Sequence, residues 1–155
     1  MVKTIDELIQ DLGNKDDFVV EEALGMLEMR AEESLGSLIS ALDNKNKNIR
    51  LNAAKILGYI GDSKAISPLI ITLKDNNKLV RREASTALSR MGDDAVNPLI
   101  ETLEDEDWRV RGAAAWALGN LKNKKAIEPL EKLLKDDSGF VKAGAKNALA
   151  TIKKL

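Results

Sequence analysis

Apolar residues in this chain follow two superposed periods. Between Asn77 and Asp105, Val80, Ala84, Ala87, Leu88 and Met91 recur at i, i+4, i+7, i+8 and i+11, which is one face of a helix. Val96, Leu99, Ile100 and Leu103 form a second, shorter stripe of the same kind. Gly92 stops the first helix and Asp93-Asp94 starts the second. Pro98 stands near the start of that second helix, where a missing N–H costs least. The pattern predicts a helical hairpin, a longer helix A followed by a shorter helix B.

The hairpin repeats. Phe18-Val19-Val20-Glu21-Glu22-Ala23 aligns with Asn48-Ile49-Arg50-Leu51-Asn52-Ala53, Leu79-Val80-Arg81-Arg82-Glu83-Ala84, Arg109-Val110-Arg111-Gly112-Ala113-Ala114 and Phe140-Val141-Lys142-Ala143-Gly144-Ala145. The apolar second position steps by 30, 31, 30 and 31 residues. So even a period predicts an all-α fold, an α-solenoid of stacked two-helix units coiling as a right-handed superhelix. Three residues before each Val or Ile stands Asp16, Asn46, Asn77, Asp107 or Ser138, all strong N-cap types. The proline column reads Glu7, Ser37, Pro68, Pro98 and Pro129, so the N-terminal repeats have drifted. Ten helices are expected, near 4–13, 17–31, 34–43, 46–61, 64–75, 77–91, 94–105, 107–121, 125–136 and 138–153. The chain divides into one domain, 1–155, made of a half repeat 1–15, repeats 16–45, 46–76, 77–106 and 107–137, and a half repeat 138–155.

The strings VRREASTALSRMGDDAVNPLIETLEDED and VRGAAAWALGNLKNKKAIEPLEKLLKDD resemble HEAT-like repeats of the phycobilisome lyase type, in the armadillo-like superhelix class. The resemblance covers nearly the whole chain. It implies the solenoid fold and a choice of roles, since that class serves bilin lyase subunits, hydroxylases, DNA-repair proteins and plain scaffolds. Deoxyhypusine hydroxylases of this class bind iron through His-Glu pairs. This chain has no His, so that activity is excluded.

Composition narrows the chemistry further. There is no Cys and no His, so thiolate nucleophiles, His general bases and catalytic triads are excluded. Aromatic residues are only 3%, which suits closely packed helices with Ala, Leu, Ile and Val between them. The net charge is −1, which argues against a nucleic-acid binder. That charge is unevenly spread. Residues 1–44 hold three bases against eleven acids, −8, and residues 122–155 hold nine against four, +5. Asp6, Glu7 and Asp11 interrupt the first apolar segment, so no signal peptide is expected, and no run is apolar enough to span a membrane. A cytoplasmic protein without a cofactor is the expectation.

Several residue sets could carry function. The column Val20, Arg50, Arg81, Arg111 and Lys142 follows by six residues the column Asn14, Asn44, Asp75, Asp105 and Asp136. The match predicts a structural ion-pair ladder with Asp75 on Arg81, Asp105 on Arg111 and Asp136 on Lys142. Anion binding by stacked arginines is the functional alternative. The acidic pairs Asp16-Asp17, Asp93-Asp94 and Asp136-Asp137 lie between helices and read as caps and first-turn dipole partners. Gly58 and Gly119 sit inside A helices, in a column otherwise holding Glu28, Ser89 and Ala150. An interior Gly costs roughly 1 kcal/mol against Ala, and close approach of neighbouring A helices is the expected compensation.

Trp108 and Trp116 are the candidate protein-contact residues of the A-helix layer. With Gly112, Ala115 and Gly119 around Trp116, they read as a flat apolar patch with aromatic anchors. The equal alternative is that packing between repeats buries both. The B helices are expected to line the concave face. Their outward columns are Gln10, Ser40, Ile71, Glu101 and Lys132, then Asp11, Ala41, Thr72, Thr102 and Leu133. That surface carries no single charge sign, so a protein or peptide fits it better than a phosphate chain.

The leading function is a non-enzymatic protein-interaction scaffold whose partner the sequence does not name. The alternative is an auxiliary subunit of a bilin-lyase-like enzyme, with a chromophore or apoprotein client. The scarcity of aromatics on the B helices counts against it. A nucleic-acid role through the basic end is weaker still. The first helix lacks an A partner and the last lacks a B partner, which raises head-to-tail association through the Ile5, Leu8, Ile9, Leu12 and Val141, Ala145, Leu149, Ile152 stripes. Capping helices on a monomer are the preferred reading.

Overall fold

Five side chains open the five long helices. Asp16, Asn46, Asn77 and Asp107 each accept from the backbone N–H two residues on, at 2.8–2.9 Å. The Ser138 hydroxyl accepts from the Val141 N–H at 3.3 Å. A second column holds each cap in place: Asn14, Asn44, Asp75, Asp105 and Asp136 accept the cap residue's own N–H at 2.8–2.9 Å. Each long helix therefore starts from a double side-chain turn that satisfies donors the helix cannot reach.

The computed structural model describes residues 2–154, and these hold ten α-helices and no strand. They are α1 Ile5–Asp11, α2 Asp17–Met29, α3 Ala31–Ala41, α4 Lys47–Ile60, α5 Ile66–Thr72, α6 Lys78–Leu88, α7 Val96–Thr102, α8 Trp108–Leu121, α9 Ile127–Lys132 and α10 Gly139–Lys153. Helices α2, α4, α6, α8 and α10 form one layer, and α1, α3, α5, α7 and α9, of which only α3 is as long as α6, form the other. A one-turn 3₁₀ segment leads into α5, α7 and α9, with Ala65, Ala95 and Ala126 buried in it. Gly61 closes α4 in the left-handed conformation, at φ 72°.

The core is two leucine columns facing each other across the layers. Leu27, Leu57, Leu88 and Leu118 come from the A helices, and Leu38, Leu69, Leu99 and Leu130 from the B helices; all are at 0% exposure. Each contributes about 1.5–3 kcal/mol by leaving water. The architecture is an armadillo- or HEAT-like α-solenoid, as the period predicts.

One alternative and two expectations need correction. The stripes proposed for head-to-tail association are already covered within one chain. Leu8, Ile9 and Leu12 are buried under α2, α3 and α4, and Val141, Ala145, Leu149 and Ile152 under α8 and α9. In the B layer, Gln10, Ser40, Ile71, Glu101 and Lys132 are exposed, but the next column is not. Ala41, Thr72, Thr102 and Leu133 are buried and Asp11 is half-buried. Thr72 and Thr102 tolerate burial because their hydroxyls donate to the Pro68 and Pro98 carbonyls of their own helices, at 2.8 and 2.7 Å. Leu134, not Leu133, is the leucine exposed at that end of the layer. The third correction concerns the ladder.

Candidate functional site

The ladder pairs differently from the sequence expectation. Arg81 and Arg111 do reach Asp75 and Asp105, but through Nη1 to the main-chain carbonyls, at 2.7 and 2.8 Å. The carboxylate partners lie one repeat on. Arg50 clasps Asp75 with Nε at 2.8 Å and Nη2 at 3.2 Å. Arg111 clasps Asp136 with the same edge, at 2.9 and 3.0 Å. An aspartate that caps the next helix cannot also turn back to the arginine above it. It presents its oxygens to the arginine of the preceding repeat instead. Lys142 is exposed and acts on Asp136 only through its charge. The Arg111 fork beside Asp136 holds that carboxyl below the usual carboxylate range and raises the guanidinium in turn.

The middle rung is open. By analogy Arg81 should clasp Asp105, yet Asp105 pairs with Lys74 at 3.2 Å. Among the described residues no carboxylate lies within ion-pair distance of Arg81. In the closed rungs 25 residues separate arginine from aspartate. One residue fewer separates Arg81 from Asp105, the deficit falling in the turn after α6. That helix is also shorter, 11 residues against 14 in α4 and α8.

The seams between A helices alternate in the same way. A Cβ on Gly58 would stand 2.7 Å from Ala87 Cα, and one on Gly119 would stand 2.9 Å from Ala148 Cα. Missing side chains thus let α4 close on α6, and α8 on α10. The α6–α8 seam has Ser89 in the glycine column, and these helices pack along less of their length. Their tie is the Ser85 hydroxyl, donating to the Ala113 carbonyl at 2.9 Å.

Above that tie lies an open groove of about 770 Å³. Trp108, Trp116 and Phe140 wall it. Lys78, Arg81, Arg82 and Arg109 rim it, and no acid lines it. Phe140 meets Trp108 edge to face, with ring centroids 5.4 Å apart at 77°. It packs against Gly112, where a Cβ would stand 2.5 Å from the ring edge. Trp108 and Trp116 are 47% and 46% exposed, so packing between repeats leaves both half open. Arg109 is held by Asp107 at 3.0 Å, which lowers that carboxyl and raises the guanidinium.

The expected flat patch is therefore a walled groove. Gly112, Ala115 and Gly119 do not spread around Trp116 on the surface: all are buried, Gly112 beneath Phe140 and Gly119 against α10. Sequence reasoning missed Phe140, Lys78, Arg82 and Arg109 as groove residues, and named Arg81 only as part of the ladder. The signal was available, because Leu79, Arg109 and Phe140 share an outward column of the repeat and two of the cations, Lys78 and Arg82, flank it. On the opposite layer a shallower cleft of about 540 Å³ lies between α1 and α3. Ser40, a predicted contact residue, lines it with Asp6 and Glu33. No described helix is long and apolar enough to cross a membrane.

Known proteins share this architecture. The HEAT repeats family model matches residues 5–77 and 66–150. Phycocyanobilin lyase subunit alpha of Picosynechococcus sp. is 38% identical over 101 residues, 58% of this chain. The match spans 38% of that relative's length. The complex of CpcE and CpcF of phycocyanin lyase from Nostoc sp. superposes with a TM-score of 0.68 at 24% identity, over 93% of this chain and 96% of that one. Human deoxyhypusine hydroxylase superposes with a TM-score of 0.68 at 21% identity, over 97% of this chain and 62% of that one. At these identities the two structures establish the fold alone. With its repeats matched along nearly its whole length, the chain belongs to the HEAT-repeat family.

Proposed function

We propose that this chain is a non-catalytic binding subunit of a bilin-lyase-like assembly, with the α6–α8 groove as its ligand-binding face. The observation that carries this reading is the groove itself. Three aromatic walls and four cations suit a planar, apolar body bearing carboxylates, which describes phycocyanobilin. The expected obstacle was the absence of aromatics from the B helices, and the groove lies on the A helices instead. Kinship with a phycocyanobilin lyase subunit supports the same ligand class. The chain has neither Cys nor His, so a thiol or imidazole for the reaction would come from a partner protein or the client. The Nostoc relative in fold is a complex of two proteins, which supports a protein partner here. The exposed column Gln10, Ser40, Ile71, Glu101 and Lys132 is the proposed docking face for it. In this reading the scaffold role and the lyase role are one: the solenoid holds ligand on one layer and partner on the other.

The chain's only two Trp residues both wall the groove, so their emission reports on it directly. Titration with phycocyanobilin is expected to quench that emission saturably, with a shift in the pigment's visible absorbance. Linear, non-saturating loss of emission with an unshifted pigment spectrum would defeat the reading.

A further inference from the structure

Three rungs of one ladder can be compared within this molecule, and one is incomplete. Arg50 and Arg111 each fix Nη1 on a loop carbonyl and offer Nε and Nη2 to a carboxylate. Arg81 fixes Nη1 in the same way, on the Asp75 carbonyl at 2.7 Å. Its other edge has no carboxylate among the described residues, because Lys74 holds Asp105. Arg81 is half-buried and lines the groove beside Trp108 and Trp116. A tethered guanidinium with one free edge is organised in advance for a carboxylate, and its rotamer entropy is already spent on the tether.

We propose that Arg81 is the carboxylate-binding residue of the α6–α8 groove, and that a small aromatic carboxylate fills the rung that Asp75 and Asp136 fill from inside the protein. The ligand carboxylate takes the bidentate position on Nε and Nη2, at the 2.8–3.2 Å spacings of the closed rungs. Its apolar body lies against the Trp and Phe walls. The groove's volume, about 770 Å³, falls in the range of small-molecule sites. Lys78 and Arg82 are exposed and raise the local potential without a fixed direction, so they attract anions and do not orient them. This inference rests on the groove being the binding face proposed above, but it does not depend on the ligand being a bilin.

The test uses two matched probes, 1-naphthaleneacetate and the neutral 1-naphthaleneacetamide. The two indole N–H signals in a nitrogen-proton correlation spectrum report binding, one from each wall. Wild-type protein is expected to bind the carboxylate about tenfold or more tightly than the amide, the range for a charge-assisted fork. Arg81→Gln should abolish that preference and leave amide binding unchanged, and Lys78→Gln should keep most of it. Equal affinity for the two probes in the wild type overturns the proposal, whether or not any variant folds. So does a preference that survives Arg81→Gln, or one lost equally in Lys78→Gln. Phycocyanobilin separates the two readings. If it fails to bind while the probes behave as expected, the lyase reading falls and this inference stands. If it binds while the preference for the naphthalene carboxylate survives Arg81→Gln, this inference falls and the lyase reading stands.

Discussion

Helix α8 has two neighbours in its layer, and it meets them differently. Towards α10 the seam is closed: Gly119 lies on Ala148, Gly112 lies under Phe140, and Arg111 is clasped on Asp136. Towards α6 the seam is open, with Ser89 in the glycine column, a short helix, and Arg81 without a carboxylate. One repeat unit thus makes both a structural joint and a binding groove. The difference is one deleted residue in a turn and one side chain where a glycine stands elsewhere. In a stack where each unit touches only its neighbours, such a change opens one seam and leaves the rest intact.

The largest effect should come from forcing the closed seam apart. Gly119→Leu places a branched side chain where even a Cβ lies 2.9 Å from backbone, so α8 or α10 must move. The expected loss is at the upper end of about 1–3 kcal/mol, read from denaturant midpoints. Ser89→Leu, at the matching position of the open seam, should cost much less. Equal losses would mean that the two seams do not differ in closeness.

The rungs give the next contrast. Arg111→Gln strips Asp136 of its fork and should cost about 1–3 kcal/mol. Arg81→Gln loses only the bond to the Asp75 carbonyl and should cost about 0.5–1 kcal/mol. The Arg111 effect depends on pH with a definite sign. Asp136 titrates below its unfolded value near 4, so the rung stabilises the fold above that pH. The contribution is lost as the pH falls through the depressed folded value. The stability gap between wild type and Arg111→Gln should therefore narrow as the pH falls through that value, leaving the Arg111 bonds to the loop carbonyls as the remainder. A gap that stays constant from pH 7 to pH 2 would refute the pairing.

Much of this was legible in the chain. The period and the caps report local rules that every repeat obeys, so alignment within one sequence reveals them, and the two glycines stand out against that alignment. The ladder was legible in composition but not in direction. A six-residue spacing within a repeat and a 25-residue spacing between repeats involve the same residues, and only the cap geometry chooses. The groove was half legible. Trp108 and Trp116 stood out by type, whereas Phe140, Lys78 and Arg82 acquire their meaning from α10 and α6 lying beside α8. Burial of Thr72, Thr102 and Leu133 was not legible because adjacent helix positions differ by only about 100°, so a residue at the edge of the exposed face reads as outward until its neighbours are in place. The ligand is not written in the repeat at all, since the repeat specifies stacking.

The smallest effect tests whether the groove is a surface or an incipient core. Trp116 is 46% exposed, with no aromatic partner of the kind Phe140 gives Trp108. Its main-chain carbonyl accepts from the Asn120 amide at 3.0 Å, a contact that any residue at 116 would keep. Trp116→Ser should therefore lower stability by about 1 kcal/mol or less, far from the roughly 3–5 kcal/mol of an emptied aromatic core site. It should leave the Gly119 seam untouched, because that contact is made by the Gly119 backbone against Ala148 and not by the Trp116 side chain. Its expected cost falls on binding, where one wall of the groove disappears and the affinity for the naphthalene probes drops. A denaturant midpoint that collapses as far as for Gly119→Leu would show the open seam to be as much a part of the core as the closed one. The contrast between the two faces of α8 would then have no energetic basis.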